Sequence, residues 1–255
     1  MSSRAHSAEM DVPTAWDGLK SSLTYFYQGS YMQFSAKNNL YYAAAAAPSL
    51  WYSFKEDDRI SRNARQKSIP KYMEISSDLA PVMSFPIIPI AFFNYGVKSD
   101  SSKATQFAKE TFAATYLALL ESAAMSAIHI HERPDNNKLS KWETNFRGSS
   151  SFPSGHVIPY AVMTLKAFQF YGPYYALVPA ALLTATSIQR VRDGKHYLSD
   201  VVGGIFLSAF ASEGVRKAAN YHDNNIVYKA VFEHNLQIGY TSHNGAIGPK
   251  FSFDW

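Results

Sequence analysis

Long stretches nearly without charge, each closed by a proline, a glycine or a polar patch, most restrict how this chain can fold. Asn38–Phe54 is rich in Ala and Tyr and closes on the polar stretch Lys55–Lys71. Leu79–Val97 carries no charge, but Pro81, Pro86 and Pro89 fall inside it and break a regular helix. Thr111–Ile128 reads as a helix around Glu121, and His156–Phe170 as a helix around Lys166, stopped by Gly172-Pro173. Tyr174–Ile188 and Leu198–Asn220 are further apolar helices. A bilayer-spanning helix needs about 20 largely apolar residues. Only the Leu79 run and the composite Ala167–Ile188 approach that length, and both contain proline. The pattern therefore predicts an all-α fold, a bundle of helices buried on most sides, with a polytopic membrane arrangement as the alternative.

The end of the chain has another period. Leu236, Ile238 and Tyr240 alternate with polar residues, Asn244-Gly245 marks a turn, and Phe251, Phe253 and Trp255 alternate again. This predicts a short C-terminal β-hairpin-like tail with a loop longer than two residues. One hairpin cannot close a barrel, which takes about eight strands. The simplest division is a polar N-terminal segment over residues 1–37, a helical domain over 38–222 and a strand-like appendage over 226–255.

Composition removes several functions. With no cysteine among 255 residues, disulfides, a thiol nucleophile and thiolate metal sites are excluded. The net charge of +4 comes from interspersed charges without a basic arm, so no nucleic-acid partner is expected. Charged residues make up only 17% of the chain, which leaves much of the surface uncharged. A mean hydropathy of −0.19 argues against an ordinary multi-span protein but leaves membrane contact open. Met1–Leu19 has no apolar core of signal-peptide length.

Polar residues that do not look like surface concentrate in three clusters, His129–Pro134, Ser151–His156 and Arg190 with His196 and Asp200. In the third, Arg190 ends an apolar helix, Asp193-Gly194 supplies a turn and His196 opens the next helix. Four residues apart, His196 and Asp200 would share a helix face. A carboxylate on one ring nitrogen fixes the tautomer and leaves the other nitrogen to act as base or nucleophile. Alone, the pair reads first as a capped helix start, with Asp200 solvating a partly buried His196. In the second cluster, Ser154-Gly155-His156 precedes an apolar helix, whose first-turn N–H groups make an anion site. A serine N-cap explains Ser154 but not His156. The first cluster supplies Arg133 at a helix end before Pro134, and Arg133 and Arg190 both offer paired donors matched to phosphate oxygens. Together these residues describe a pocket for a tetrahedral oxyanion, with an acid and a nucleophile.

The order Arg-Pro, Pro-Ser-Gly-His and Arg-x5-His-x3-Asp, running from Arg133 to Asp200, resembles the three-part signature of the type 2 phosphatidic acid phosphatase superfamily. That superfamily includes lipid phosphate phosphatases, bacterial acid phosphatases and vanadium-dependent haloperoxidases. The resemblance implies that His196 attacks phosphorus and forms a phosphohistidine, with Asp200 orienting it. It implies that His156 protonates the leaving alkoxide and later activates water. Arg133, Arg190, Ser154 and Gly155 would bind the nonbridging oxygens. No metal or other cofactor is implied for a phosphatase; vanadate would occupy the same pocket in a haloperoxidase.

Two positions depart from the signature. Ser126 stands where the first motif has lysine, and Gln189 where the third has serine. Lys138, Lys141, Lys195, Arg192 and His129 are the nearby candidates to replace the missing cation. The expected activity is a metal-independent phosphatase acting on a phosphomonoester or pyrophosphate. Its partner would be a phosphorylated lipid or a small phosphoester, with contact to a membrane surface. The alternatives are a vanadium haloperoxidase and a non-catalytic phosphate- or lipid-binding protein. The resemblance and the lack of cysteine point to a bacterial periplasm or membrane face, with any signal peptide removed; an integral membrane protein is the alternative.

Overall fold

The computed structural model describes residues 14–135, 150–233, 235–243 and 246–254. Its architecture is all-α with a terminal hairpin, as the sequence predicts. The described helices are α1 (Ala15–Met32), α2 (Lys37–Arg65), α3 (Lys71–Met83), α4 (Ile87–Lys98), α5 (Ser102–Ser126), α6 (Ile158–Tyr171), α7 (Pro173–Arg192), α8 (Leu198–Ala219) and α9 (Ile226–Phe232). Short 3-10 turns cover Gln33–Ser35 and Gly155–Val157.

Small and apolar side chains build the centre. Ala113, Ala114, Leu117 and Ala118 of α5 meet Ile158 and Val162 of α6 and Ala211 and Val215 of α8, with Tyr25 and Phe26 of α1 against them. Alanine-rich faces let these helices approach closely, and each buried methyl adds to the hydrophobic gain.

Helix α1 changes the division expected from sequence. Thr14 caps it reciprocally with Asp17: Asp17 N donates to Thr14 Oγ1 at 3.2 Å, and Thr14 N to Asp17 Oδ2 at 3.0 Å. Its buried Gly29 sits against Val215 of α8, and Gly18 against the Phe93 ring of α4. Residues 15–37 are thus part of the bundle, not a polar segment outside it. Residues 1–13 lie outside the described part.

Prolines act as expected at one place and not at others. The chain breaks between α3 and α4 around Ser84–Pro86 with a 65° bend, whereas Pro48, Pro81 and Pro179 sit inside helices. Gly172, at φ 92°, separates α6 from α7 and so breaks the composite Ala167–Ile188 run. Among the described residues, Leu198–Ala219 is a helix long and apolar enough to cross a bilayer, and 67% of its apolar window is buried inside the protein.

The tail pairs Asn235–His243 (β1) with Ala246–Asp254 (β2) in an antiparallel ladder. Its register continues to His243 opposite Ala246, so only two residues separate the strands and the longer loop expected from sequence is corrected. Asn244-Gly245 and Trp255 lie outside the described residues.

Candidate active site

The third cluster is presented by a tight turn. After α7, the Arg190 carbonyl accepts the N–H groups of Lys195 at 3.1 Å and His196 at 3.2 Å, folding the chain back on itself. Gly194 takes φ 68° in this turn, a left-handed conformation that suits glycine. His196 does not open the next helix: α8 starts at Leu198, and His196 stands before its N-terminus. Asp200 lies in the first turn of α8 and accepts the Tyr197 N–H at 2.8 Å through Oδ2. The same oxygen lies 3.3 Å from His196 Nδ1. The contact anticipated along a helix face is therefore made across a helix cap. A negative side chain there also complements the helix dipole.

Burial and charge set the state of this pair. Burial is the main reason that His196 is held down at about pKa 4, and the charges of Arg190 and Arg133 add to it, against Asp200. The imidazole is neutral at pH 7. Burial pushes Asp200 upward, but hydrogen bonds from His131, His196 and the Tyr197 N–H outweigh it and bring the carboxyl to about 2. His196 Nε2 is buried and has no hydrogen-bond partner among the described residues, and neither has Ser154 Oγ.

Backbone bonds join the three clusters. Ser154 N donates to the Asp200 carbonyl at 2.9 Å, and Ser151 N to the His131 carbonyl at 2.8 Å. Arg133 Nη1 donates to the Lys195 carbonyl at 3.2 Å. Ser154 is fully buried; Gly155 begins the 3-10 turn that leads into α6, and His156 follows it, half-buried. Arg133 is not at a helix end: α5 stops at Ser126, and Arg133 lies in the non-helical segment beyond it.

Two glycines of α8 allow this closeness. A Cβ on Gly204 would lie 2.6 Å from the Ser154 carbonyl oxygen and 2.7 Å from Val157, and one on Gly203 would strike the Phe152 ring. Gly204→Ala is expected to displace the Ser154 turn and to destabilise the protein by about 1–3 kcal/mol, the usual range for overpacking. A thermal melt read beside phosphate affinity checks this, because both should fall.

Ser126 is buried, and its hydroxyl donates to the Ser122 carbonyl at 2.7 Å. Of the cations considered for the missing lysine, Lys195 pairs with Asp193 at 2.7 Å, and Arg192 donates to the Ser68 carbonyl at 2.9 Å. His129 lies 3.6 Å from Glu132 in a largely exposed pair. Lys138 and Lys141 lie outside the described residues. Gln189, the second departure, reaches Asp193 at 3.4 Å within the turn.

Two residues without a role in the sequence reading also touch the site. His131 Nδ1 lies 3.3 Å from Asp200 Oδ1, and Asp57 of α2 accepts the Ser199 N–H at 3.0 Å. His131 was visible two positions before Arg133; Asp57 left no signal, being 142 residues from its partner.

Residues 110–222 match the family model of the PAP2 superfamily, and this stretch contains every candidate named above from Arg133 to Asp200. Among solved structures, the chain is similar to a transmembrane PAP2-type phosphatidylglycerolphosphate phosphatase from Bacillus subtilis. The likeness is at 19% identity, over 75% of this chain and 95% of that one, with a TM-score of 0.49. A comparison with curated proteins finds no match.

Proposed function

We propose that this chain, a PAP2 superfamily member by its residues 110–222, is a phosphatase that cleaves a phosphomonoester or pyrophosphate of a lipid through a phosphohistidine, without a metal. The observation that carries the reading is His196 itself: neutral, buried, held through Nδ1 by Asp200, with Nε2 unpartnered among the described residues and under the charges of two arginines. A neutral imidazole with a carboxylate behind it is an activated nucleophile.

In this mechanism His196 Nε2 forms a bond to phosphorus while the bond from phosphorus to the ester oxygen breaks. His156 gives its proton to that departing oxygen. Asp200 stabilises the positive charge that appears on the His196 ring. Arg190 and Arg133 neutralise the spreading charge on the nonbridging oxygens, a task that a metal performs in other phosphoryl-transfer sites. Ser154 Oγ and the amides of the Gly155 turn add donors. A water then attacks phosphorus, His156 takes its proton, and the nitrogen–phosphorus bond breaks to release phosphate and restore His196.

The lipid preference has its own support. Large apolar side chains stand exposed on several helices, among them Phe34 (87%), Trp51 (68%), Tyr174 (84%) and Val178 (69%). An apolar cleft of ≈ 550 Å³ opens between α2, α5 and α8, lined by Phe34, Leu40, Met125, Leu207 and Phe210. Exposed apolar area on this scale is suited to a membrane or lipid partner. This apolar surface supports a place at a membrane face; the periplasmic side is carried over from the family resemblance alone.

The test is phosphate release from p-nitrophenyl phosphate, phosphatidic acid and a prenyl pyrophosphate, each with and without EDTA. Turnover that survives EDTA and favours the lipids is expected. Preference for p-nitrophenyl phosphate removes the lipid assignment, and no release from any substrate favours a non-catalytic phosphate-binding protein. The pH profile gives a further expectation. Because His196 is depressed to about 4, it stays neutral down to that pH and loses its lone pair only below it. The value of kcat/KM should therefore show no loss from His196 between pH 7 and 5, then fall about tenfold per pH unit below 4.

A further inference from the structure

Asp200 serves two histidines. Its Oδ2 faces His196 Nδ1 and its Oδ1 faces His131 Nδ1, each at 3.3 Å, and the carboxylate has no exposed surface. Three further contacts hold the His131 ring in place. It stacks on Tyr197 with centroids 4.3 Å apart and planes at 20°, it leans on Phe54 at 5.5 Å, and its Nδ1 lies 3.4 Å from Ser199 Oγ. Its backbone is fixed as well, since its carbonyl accepts the Ser151 N–H and the Ser151 hydroxyl. One residue thus joins the irregular segment that carries Arg133, the loop leading to Ser154 and the cap of α8.

We propose that His131 is a positioning residue: it holds the second oxygen of Asp200, and so divides the negative charge of that carboxylate between itself and His196. The proposal rests on the reading of His196 as nucleophile, and it names a residue outside the motif residues of that reading. The physical reason is the sharing of one buried charge. A buried carboxylate strengthens whichever partner it serves, and a second donor on its other oxygen withdraws part of that support. A charged His131 takes more of it than a neutral one. Asp200 and Ser199 face the ring from α8, Phe54 with Asp57 and Asp58 belong to α2, and Glu132 and Arg133 follow on its own segment. The hydrogen bond to Asp200 is the main reason that His131 titrates above the usual histidine value, with burial opposing and Asp57 and Asp58 assisting.

Two variants test this. His131→Phe keeps an aromatic ring on Tyr197 and removes the donor; His131→Gln keeps a donor without the charge. Nitrogen NMR of histidine-labelled full-length protein, titrated with pH, reads His196 directly and needs no turnover. In His131→Phe, the His196 titration is expected to move upward by at least about half a pH unit, since Asp200 then serves it alone. The His131→Gln variant should fall between the two. In phosphate-release assays, His131→Phe is expected to lower kcat about tenfold with KM changed less than about threefold, because the carboxylate that aims His196 loses its second anchor and this outweighs the gain in basicity. His131→Gln, which restores a donor, should recover part of it. An unmoved His196 titration in a folded His131→Phe protein overturns the proposal. A shifted titration in a protein whose wild type releases no phosphate upholds the shared carboxylate and rejects the phosphatase reading instead.

Discussion

Replacing His196 with alanine is expected to cut phosphate release about ten-thousand-fold or more while leaving the fold intact, the largest effect of any single change in the site. The side chain is backed by a buried carboxylate, and its buried Nε2 has no hydrogen-bond partner among the described residues. Without it, the arginines and the Gly155 turn still bind phosphate, so KM should change far less than kcat. Rapid acid-free quenching of wild type with radiolabelled substrate should trap a label that acid removes and alkali does not, as a phosphoramidate requires. His196→Ala should trap none. A variant that keeps a tenth of wild-type activity moves the nucleophile elsewhere.

The second large effect concerns stability rather than turnover. Lys166 and Glu110 are both fully buried, with Lys166 Nζ 3.0 Å from Glu110 Oε2. The same ammonium donates to Gln169 Oε1 at 2.9 Å and to the Ser212 carbonyl at 2.8 Å. Glu110 also takes Arg216 Nη1 at 3.2 Å, and Gln169 passes the network to Glu213, which Tyr228 of α9 and Asn38 of α2 complete. Burial lowers Lys166 to about 8, yet it remains mostly protonated at pH 7. Lys166→Met strands these acceptors in a dry interior and is expected to cost about 3–5 kcal/mol. For a chain of this size that lowers Tm by roughly 10 °C. Ser212 lies about 18 Å along α8 from Asp200. The kcat of the surviving folded protein should therefore be nearly unchanged, and a melt beside an assay separates the two effects.

The sequence made the apolar helices legible because their interiors lack charge. It hid others for the same reason. Lys55–Arg65 reads as a polar stretch, yet it continues α2, burying Asp57 and Ser61 on one side while Glu56 and Arg59 pair on the other. Helix α1 carries Trp16, Tyr27 and Tyr31 outward and keeps Gly18, Ser22 and Gly29 buried, so aromatic residues outside compete with the signal of Tyr25 and Phe26 on its packed face. In the site, spacing correctly associated His196 with Asp200 but misplaced the histidine on the helix. The turn closed by the Arg190 carbonyl sets its position, and that depends on tertiary contacts. His131 and Asp57 are joined to α8 across 69 and 142 residues of chain, a separation at which local pattern carries no information.

The bonds that bring Ser151 to His131 and Ser154 to Asp200 run between main-chain atoms, and so does the turn that carries His196. No side-chain atom takes part in them, although Gly194 and Gly204 make the close approach possible. A chain built this way can exchange a reactive group such as the His196 imidazole and still fold, so its chemistry can drift, be retuned or be lost by substitution while the scaffold persists. Folding and reactivity are then subject to separate selection.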